Sequence, residues 1–193
     1  MAPGPSPEPA YGHAEGAALL QVAAASVEHG LRAGAPLAVD PDRYAQPLRE
    51  TRASFVTLRI DDLLRGCTGC LEAQLPLVAD VARNAYRSAF GDPRFPPLRE
   101  DELAGLRFSV SVLSPLEPLP AASEAELLAE LRPGVDGLVL REGRAAATFL
   151  PAVWGSLPDP ARFLVELRRK AGLPPRHWSP QLSFERYTAQ EIC

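Results

Sequence analysis

The chain has 193 residues, 46% of them hydrophobic and 23% charged, with a formal net charge of −4. This is the profile of a soluble globular protein, and it offers no basic field for nucleic acid or an anionic membrane surface. No run approaches the roughly 20 uninterrupted apolar residues of a membrane span, and the opening "MAPGPSPEPAYGHAEG" lacks the basic start and apolar stretch of a signal peptide.

Cytoplasmic residence is therefore expected, and the odd count of three cysteines argues against a disulfide framework. Residues 1 to 13, rich in Pro, Gly and Ala, read as a disordered tail, which leaves 14 to 193 as a single domain. Leu20, Ala24, Val27 and Leu31 recur at helical spacing, and Gly34 with Pro36 supplies a stop, predicting a helix over 14–33. "SFVTLRIDDLLRGCTG" predicts two extended segments, Phe55–Ile60 and Leu63–Gly66, joined by an Asp-Asp turn with the cysteines following the hairpin. "PLVADVARNAYRSAF" predicts a helix with Pro76 at its first position, Leu77, Val78, Val81, Ala85 and Ala89 on its apolar side and Gly91 at its C-terminal cap.

"GDPRFPPLRE" must be an irregular loop, and "EDELAGL" one or two helical turns. "LRFSVSVLSP" alternates Phe108, Val110 and Val112 against Ser109 and Ser111, the period of a half-buried strand. Ser123 with Glu126 matches a capping box that opens a helix ended by "RPG". "GLVLREGRAAATFLP" predicts a hairpin with a Glu-Gly turn, and Pro151 ends its second strand. Asp159 and Pro160 open a helix that buries Phe163, Leu164 and Leu167, carries Arg168, Arg169 and Lys170 in a solvent-facing last turn, and closes at Gly172. "LSFERYTAQEI" predicts one final strand. The order of elements predicts an α+β fold with mainly antiparallel sheets packed against helices.

"RGCTGC", residues 65–70, leaves four readings open. A redox dithiol needs its CxxC at a helix N-terminus, yet the next helix starts near Pro76. A zinc site needs two further ligands, and only Cys193, His13, His29 and His177 are on offer, without paired spacing. A nucleophilic Cys67 gains from Arg65 and from the close backbone approach that Gly66 and Gly69 permit, but its base is not evident; His177 is the one histidine outside the tail and first helix. In the fourth reading, Gly66 and Gly69 make a positive-φ turn and Cys67 packs as a small hydrophobe. Trp154 and Trp178 read as core or core-edge residues.

"FVTLRIDDLLRGCTG", "PLVADVARNAYRSAFGDPRFPPL", "FSVSVLSP", "PGVDGLVLREGRAAATFLPAVW" and "FLVELRRKAGL" occur in order, and together they resemble the AMMECR domain family, called AmmeMemoRadiSam system protein A in bacteria. Its Leu-Arg-Gly-Cys-Ile-Gly motif is carried by Leu64, Arg65, Gly66, Cys67, Thr68 and Gly69, with Thr68 replacing the isoleucine. Cys70 lies outside the motif, so the resemblance singles out Cys67. Asp92, Pro93, Arg94 and Phe95 match a second motif, and Pro151 and Lys170 match further positions. The resemblance implies a larger lobe from both chain ends, a smaller inserted lobe, and a cleft holding the Arg-Gly-Cys segment. It also implies a pathway shared with a Memo-like protein and a radical SAM protein, but brings no reaction and leaves any cofactor unknown.

The resulting expectation is Cys67 as candidate nucleophile, with Arg65, Gly66, Gly69, Asp92 and Arg94 binding a small anionic ligand and no metal. The alternative is a non-catalytic binding or scaffold module for a peptide, a nucleotide-like ligand or a partner protein, with Ser109, Ser111 and Thr148 among its lining residues.

Overall fold

In the computed structural model, which describes residues 11–193, α1 spans His13–Ala33 and ends as Gly34 enters the left-handed region at φ 66°. Its buried face is Leu19, Val22, Ala23 and Val27; of the expected Leu20, Ala24, Val27 and Leu31, Val27 lies on it and the other three are half-buried. Alanines on every side give the helix little contrast for periodicity to read. Residues 1–10 of the expected tail lie outside the described residues, whereas Tyr11 is buried. Its N–H donates to Gln190 Oε1 at 3.1 Å and its C=O accepts from Gln190 Nε2 at 2.8 Å.

A short α2 (Gln46–Arg49) leads into β1 (Ser54–Ile60) and β2 (Leu63–Gly69), followed by α3 (Leu77–Phe90). Pro76 caps α3 instead of starting it, and Gly91 caps its other end at φ −124°. The stretch 100–105 forms 3₁₀ turns before β3 (Leu106–Leu113). Next come β4 (Glu117–Pro118), α4 (Glu124–Glu130), β5 (Gly137–Glu142), β6 (Ala145–Phe149), α5 (Pro160–Lys170), β7 (Ser183–Tyr187) and β8 (Ala189–Ile192). The predicted last strand is thus two, placed in different sheets. No described helix is long and apolar enough to cross a membrane.

The fold is α+β, with two four-stranded, mainly antiparallel sheets ordered β2-β1-β3-β8 and β4-β7-β5-β6. The described chain divides into two compact units: residues 11–113 together with Gln190–Cys193, and Ser114–Ala189. In the first unit, Val56 and Leu58 of β1 and Val110 and Val112 of β3 join Leu19, Val22 and Val27 of α1 and Leu77, Val78, Val81 and Ala85 of α3 in one apolar core. The sheet's opposite face carries Phe55, Thr57, Ser109 and Ser111, all half-buried.

In the second unit, Leu127, Leu138, Leu140, Phe163, Leu164, Leu167 and Phe184 form the core. Trp154 stacks on Phe163 at 3.9 Å between ring centres and donates its indole N–H to Asp136 O at 2.7 Å. Burial pushes the Tyr187 phenol up to about 12, and its hydroxyl shares a 2.7 Å hydrogen bond with that of Thr148. Arg168, expected in solvent, is fully buried; it lies on α5 one turn beyond Leu164, so helical geometry carries it inward with the apolar residues.

The β1–β2 turn places two non-glycine residues in the left-handed region, Asp61 at φ 50° and Asp62 at φ 63°. A two-residue hairpin loop of this hand favours glycine at its second position. Asp62→Gly is expected to raise stability by roughly 0.5–1 kcal/mol in urea unfolding.

Candidate functional site

β2 pairs with β1 in one register at the turn, Ile60 opposite Leu63 and Arg59 opposite Leu64, and in another beyond it, Leu58 opposite Gly66 and Thr57 opposite Cys67. Arg65 is the extra, bulged residue. A strand's side chains alternate between faces, so a one-residue slip exchanges the faces of everything that follows. Without the bulge, Cys67 would sit opposite Val56 on the core side. With it, Cys67 stands opposite Thr57 on the outer face, where the Thr57 hydroxyl donates to its sulfur at 3.3 Å.

The same slip turns Gly66 and Thr68 toward α3. A Cβ on Gly66 would lie 2.0 Å from the Ser88 carbonyl oxygen, and one on Gly69 would lie 2.4 Å from both the Phe55 ring and Ser54 O. Neither glycine has positive φ; they are there for close approach, not for the turn considered from sequence. Thr68 N–H donates to Ser88 Oγ at 2.8 Å, the Thr68 hydroxyl donates to Asn84 O at 3.1 Å, and the Ser88 hydroxyl donates to Val56 O at 2.8 Å.

Asp92 and Arg94 close the free edge of β2. Asp92 Oδ2 accepts the Cys67 N–H at 2.9 Å, and Arg94 Nη2 donates to the Cys67 C=O at 3.2 Å. One residue's backbone donor and acceptor are thus met as a neighbouring strand would meet them. The two side chains also form a fork-to-fork pair, Nε to Oδ1 at 2.9 Å and Nη2 to Oδ2 at 2.7 Å. The Arg94 guanidinium holds the Asp92 carboxyl far below the usual carboxylate range, with the Cys67 and Arg94 N–H groups adding to it against burial; Arg94 is raised in return.

Arg65 makes the equivalent pair with Glu102, at 2.6 and 3.0 Å, and its side chain is only 12% exposed. The hydrogen bond to Glu102 raises Arg65 and lowers Glu102. The guanidinium expected beside the thiol is therefore neutralised by a carboxylate. Arg94, 55% exposed, is the one with a face left open. Phe95 lies between them, its ring centre 5.9 Å from the Arg65 guanidinium and 5.6 Å from that of Arg94.

Cys67 and Cys70 are both free thiols. Three residues of extended chain span about 10 Å, beyond the ~7 Å between Cα atoms that a disulfide tolerates. Their thiols also have separate surroundings, since that of Cys70 donates to Asp80 Oδ1 at 3.4 Å and lies 3.6 Å from Arg83 Nη2. Burial first, then the Asp80 charge, pushes the Cys70 thiol up. Among the described residues no group of three or more His, Cys, Asp or Glu side chains is placed to hold a metal ion. His177, the base considered for Cys67, has its Nε2 at 2.6 Å from Glu142, and the Thr148 hydroxyl donates to Leu138 O.

Sequence reasoning missed Thr57, Glu102 and the buried polar stripe Asp80–Asn84–Ser88. The stripe had a signal, since three polar residues four apart run along α3. Asp80 anchors it, accepting from Ser54 N–H at 3.0 Å, the Ser54 hydroxyl at 2.7 Å, Asn84 Nδ2 at 2.8 Å and Arg83 Nη2 at 2.6 Å.

A pH prediction follows from Asp92. A carboxylate held below its unfolded value contributes stability that is complete above the ordinary carboxylate range and is lost progressively as pH falls from that range to the depressed value. Asp92→Asn is expected to lose about 2–3 kcal/mol at pH 7. In urea unfolding at stepped pH, the gap to the parent should persist at pH 4 and close only in stronger acid.

A protein-family model described as AMMECR1 matches residues 20–192. A protein of Methanothermobacter thermautotrophicus is 39% identical over 180 residues, covering 91% of this chain and 92% of its own. One of Methanopyrus kandleri is 36% identical, covering 91% and 86%. The crystal structure of an uncharacterized protein from Pyrococcus horikoshii superimposes with a TM-score of 0.82 at 32% identity, covering 90% of this chain and 88% of that one.

Proposed function

The chain belongs to the AMMECR1 family, and on that premise we propose that β2 presents Cys67 as a positioned thiol in a site for a small anionic molecule. One observation carries this reading: the bulge at Arg65 turns Cys67 to the outer face, where Asp92 and Arg94 fix its backbone and Thr57 donates to its sulfur. A side chain placed by packing alone needs no such clamp on both its N–H and its C=O. Arg94 is the contact for the anion, because its side chain remains open to solvent while Nε and Nη2 face Asp92 and Cys67 O. Arg65, Gly66 and Gly69 shape the strand, the glycines by close approach and Arg65 by anchoring the 100–105 turns through Glu102.

A binding role without chemistry is favoured by one specific feature: the hydrogen-bond partner of the Cys67 sulfur is a hydroxyl, not a base. On either reading, the Memo-like and radical SAM proteins implied by the resemblance are the expected makers or users of the ligand, in the cytoplasm.

The test is native mass spectrometry of protein purified without added ligand, followed by identification of any released small molecule. An acidic molecule retained by the parent and lost from Arg94→Ala supports the proposal. Retention of a neutral or basic molecule, indifferent to Arg94, would overturn it.

A further inference from the structure

The second unit carries a groove of about 450 Å³ that has no part in the Cys67 site. Its floor is Pro118, Leu119 and Pro120, running on from β4, and its wall is the face of α4 with Glu126, Ala129 and Glu130. β4 is a sheet edge, but Pro118 and Pro120 have no N–H to give, so the edge is closed to an added strand and recognition here falls to side chains.

Three charged side chains line the groove, two of them carboxylates. Arg186 lines it, but its guanidinium faces Glu117 at 3.4 Å. Glu126 uses Oε2 to accept the Ala122 N–H at 2.8 Å. Glu130, exposed and without a cationic partner among the described residues, lies one turn further along α4. Like charges four residues apart repel, and a carboxylate at a helix C-terminus adds to the negative charge of the last carbonyls. The sequence breaks two local rules at one place, over an apolar floor.

We propose that this groove takes an arginine or lysine side chain from a basic segment of a partner protein. The methylene stem of such a residue suits Pro118, Leu119 and Pro120, and its cationic head reaches Glu126 and Glu130. No anion or strand edge satisfies both halves.

The test titrates the full chain with an acetylated, amidated Leu-Arg-Leu-Arg peptide, following backbone amide shifts by NMR, with Leu-Glu-Leu-Glu as counterpart. Shifts centred on Leu119, Ala129 and Glu130 are expected for the basic peptide alone. Glu130→Arg should weaken binding at least tenfold, and Glu130→Gln, which changes only the charge of an exposed residue, should weaken it severalfold while slightly raising Tm. Equal response to the acidic peptide, shifts centred elsewhere, or unchanged binding in Glu130→Arg would overturn the proposal. So would a dimer in sedimentation that Glu130→Arg dissolves, since a second copy of the chain would then be the occupant.

Discussion

Gly66→Ala is expected to cost about 3 kcal/mol, most of what a marginal domain can lose. The added methyl would lie 2.0 Å from the Ser88 carbonyl oxygen and 3.0 Å from its carbon. Both are backbone atoms within a helix, so no rotamer change relieves the clash. β2 must retreat from α3, and the Thr68 N–H to Ser88 Oγ bond is the first to stretch. Because the Cys67 N–H is held by Asp92 on the next residue, the disturbance reaches the site directly. Hydrogen exchange reads it: amides of β1, β2 and α3 should lose protection, and those of β5 and α5 should keep it.

The second large effect belongs to Arg168. Its Nη1 donates to Pro175 O at 3.1 Å, its Nη2 to Glu124 at 2.8 Å, and its guanidinium lies 5.7 Å from the Trp178 ring centre. The side chain is 1% exposed while that of Glu124 is 41% exposed. Arg168→Ala therefore leaves a cavity and an orphaned carbonyl, but a carboxylate that water still reaches. The expected cost is about 2–4 kcal/mol. Arg168→Lys should recover less than half, since one ammonium does not reproduce two divergent N–H donors together with the contact over Trp178. Trp154 and Trp178 both lie in the second unit, so tryptophan fluorescence during urea unfolding reports this change.

Most elements were legible because their signals are local. Helical spacing and the Asp159 cap gave α5, alternation gave β3, and the Asp-Asp turn gave the first hairpin. Arg168 was misread because three basic residues in a row look solvated, whereas angular position on the helix decides which one turns inward. The last strand was misread because nothing in "RYTAQ" marks where one sheet is left for the other.

The Cys67 site was legible by motif and illegible by geometry. Counting back from the Asp-Asp turn puts Cys67 opposite Val56, in the core, which is the small-hydrophobe reading. The bulge at Arg65 reverses it, and no glycine or proline at Arg65 announces a bulge. The partners were likewise hidden: Glu102 lies 37 residues beyond Arg65 and Asp92 25 beyond Cys67, separations at which local pattern says nothing. The motif residues meet in space, and both guanidiniums are paired, Arg65 with Glu102 and Arg94 with Asp92, with Arg94 the more exposed of the two.

The most direct measurement is the rate of iodoacetamide labelling at Cys67 in a Cys70→Ser, Cys193→Ser protein at pH 7.5, with and without millimolar inorganic phosphate as a small anion. The account predicts that Cys67 is labelled in the folded chain, that phosphate slows labelling severalfold, and that Arg94→Ala abolishes this protection. A thiol that reacts only after denaturant is added, or a rate indifferent to both phosphate and Arg94, would contradict it.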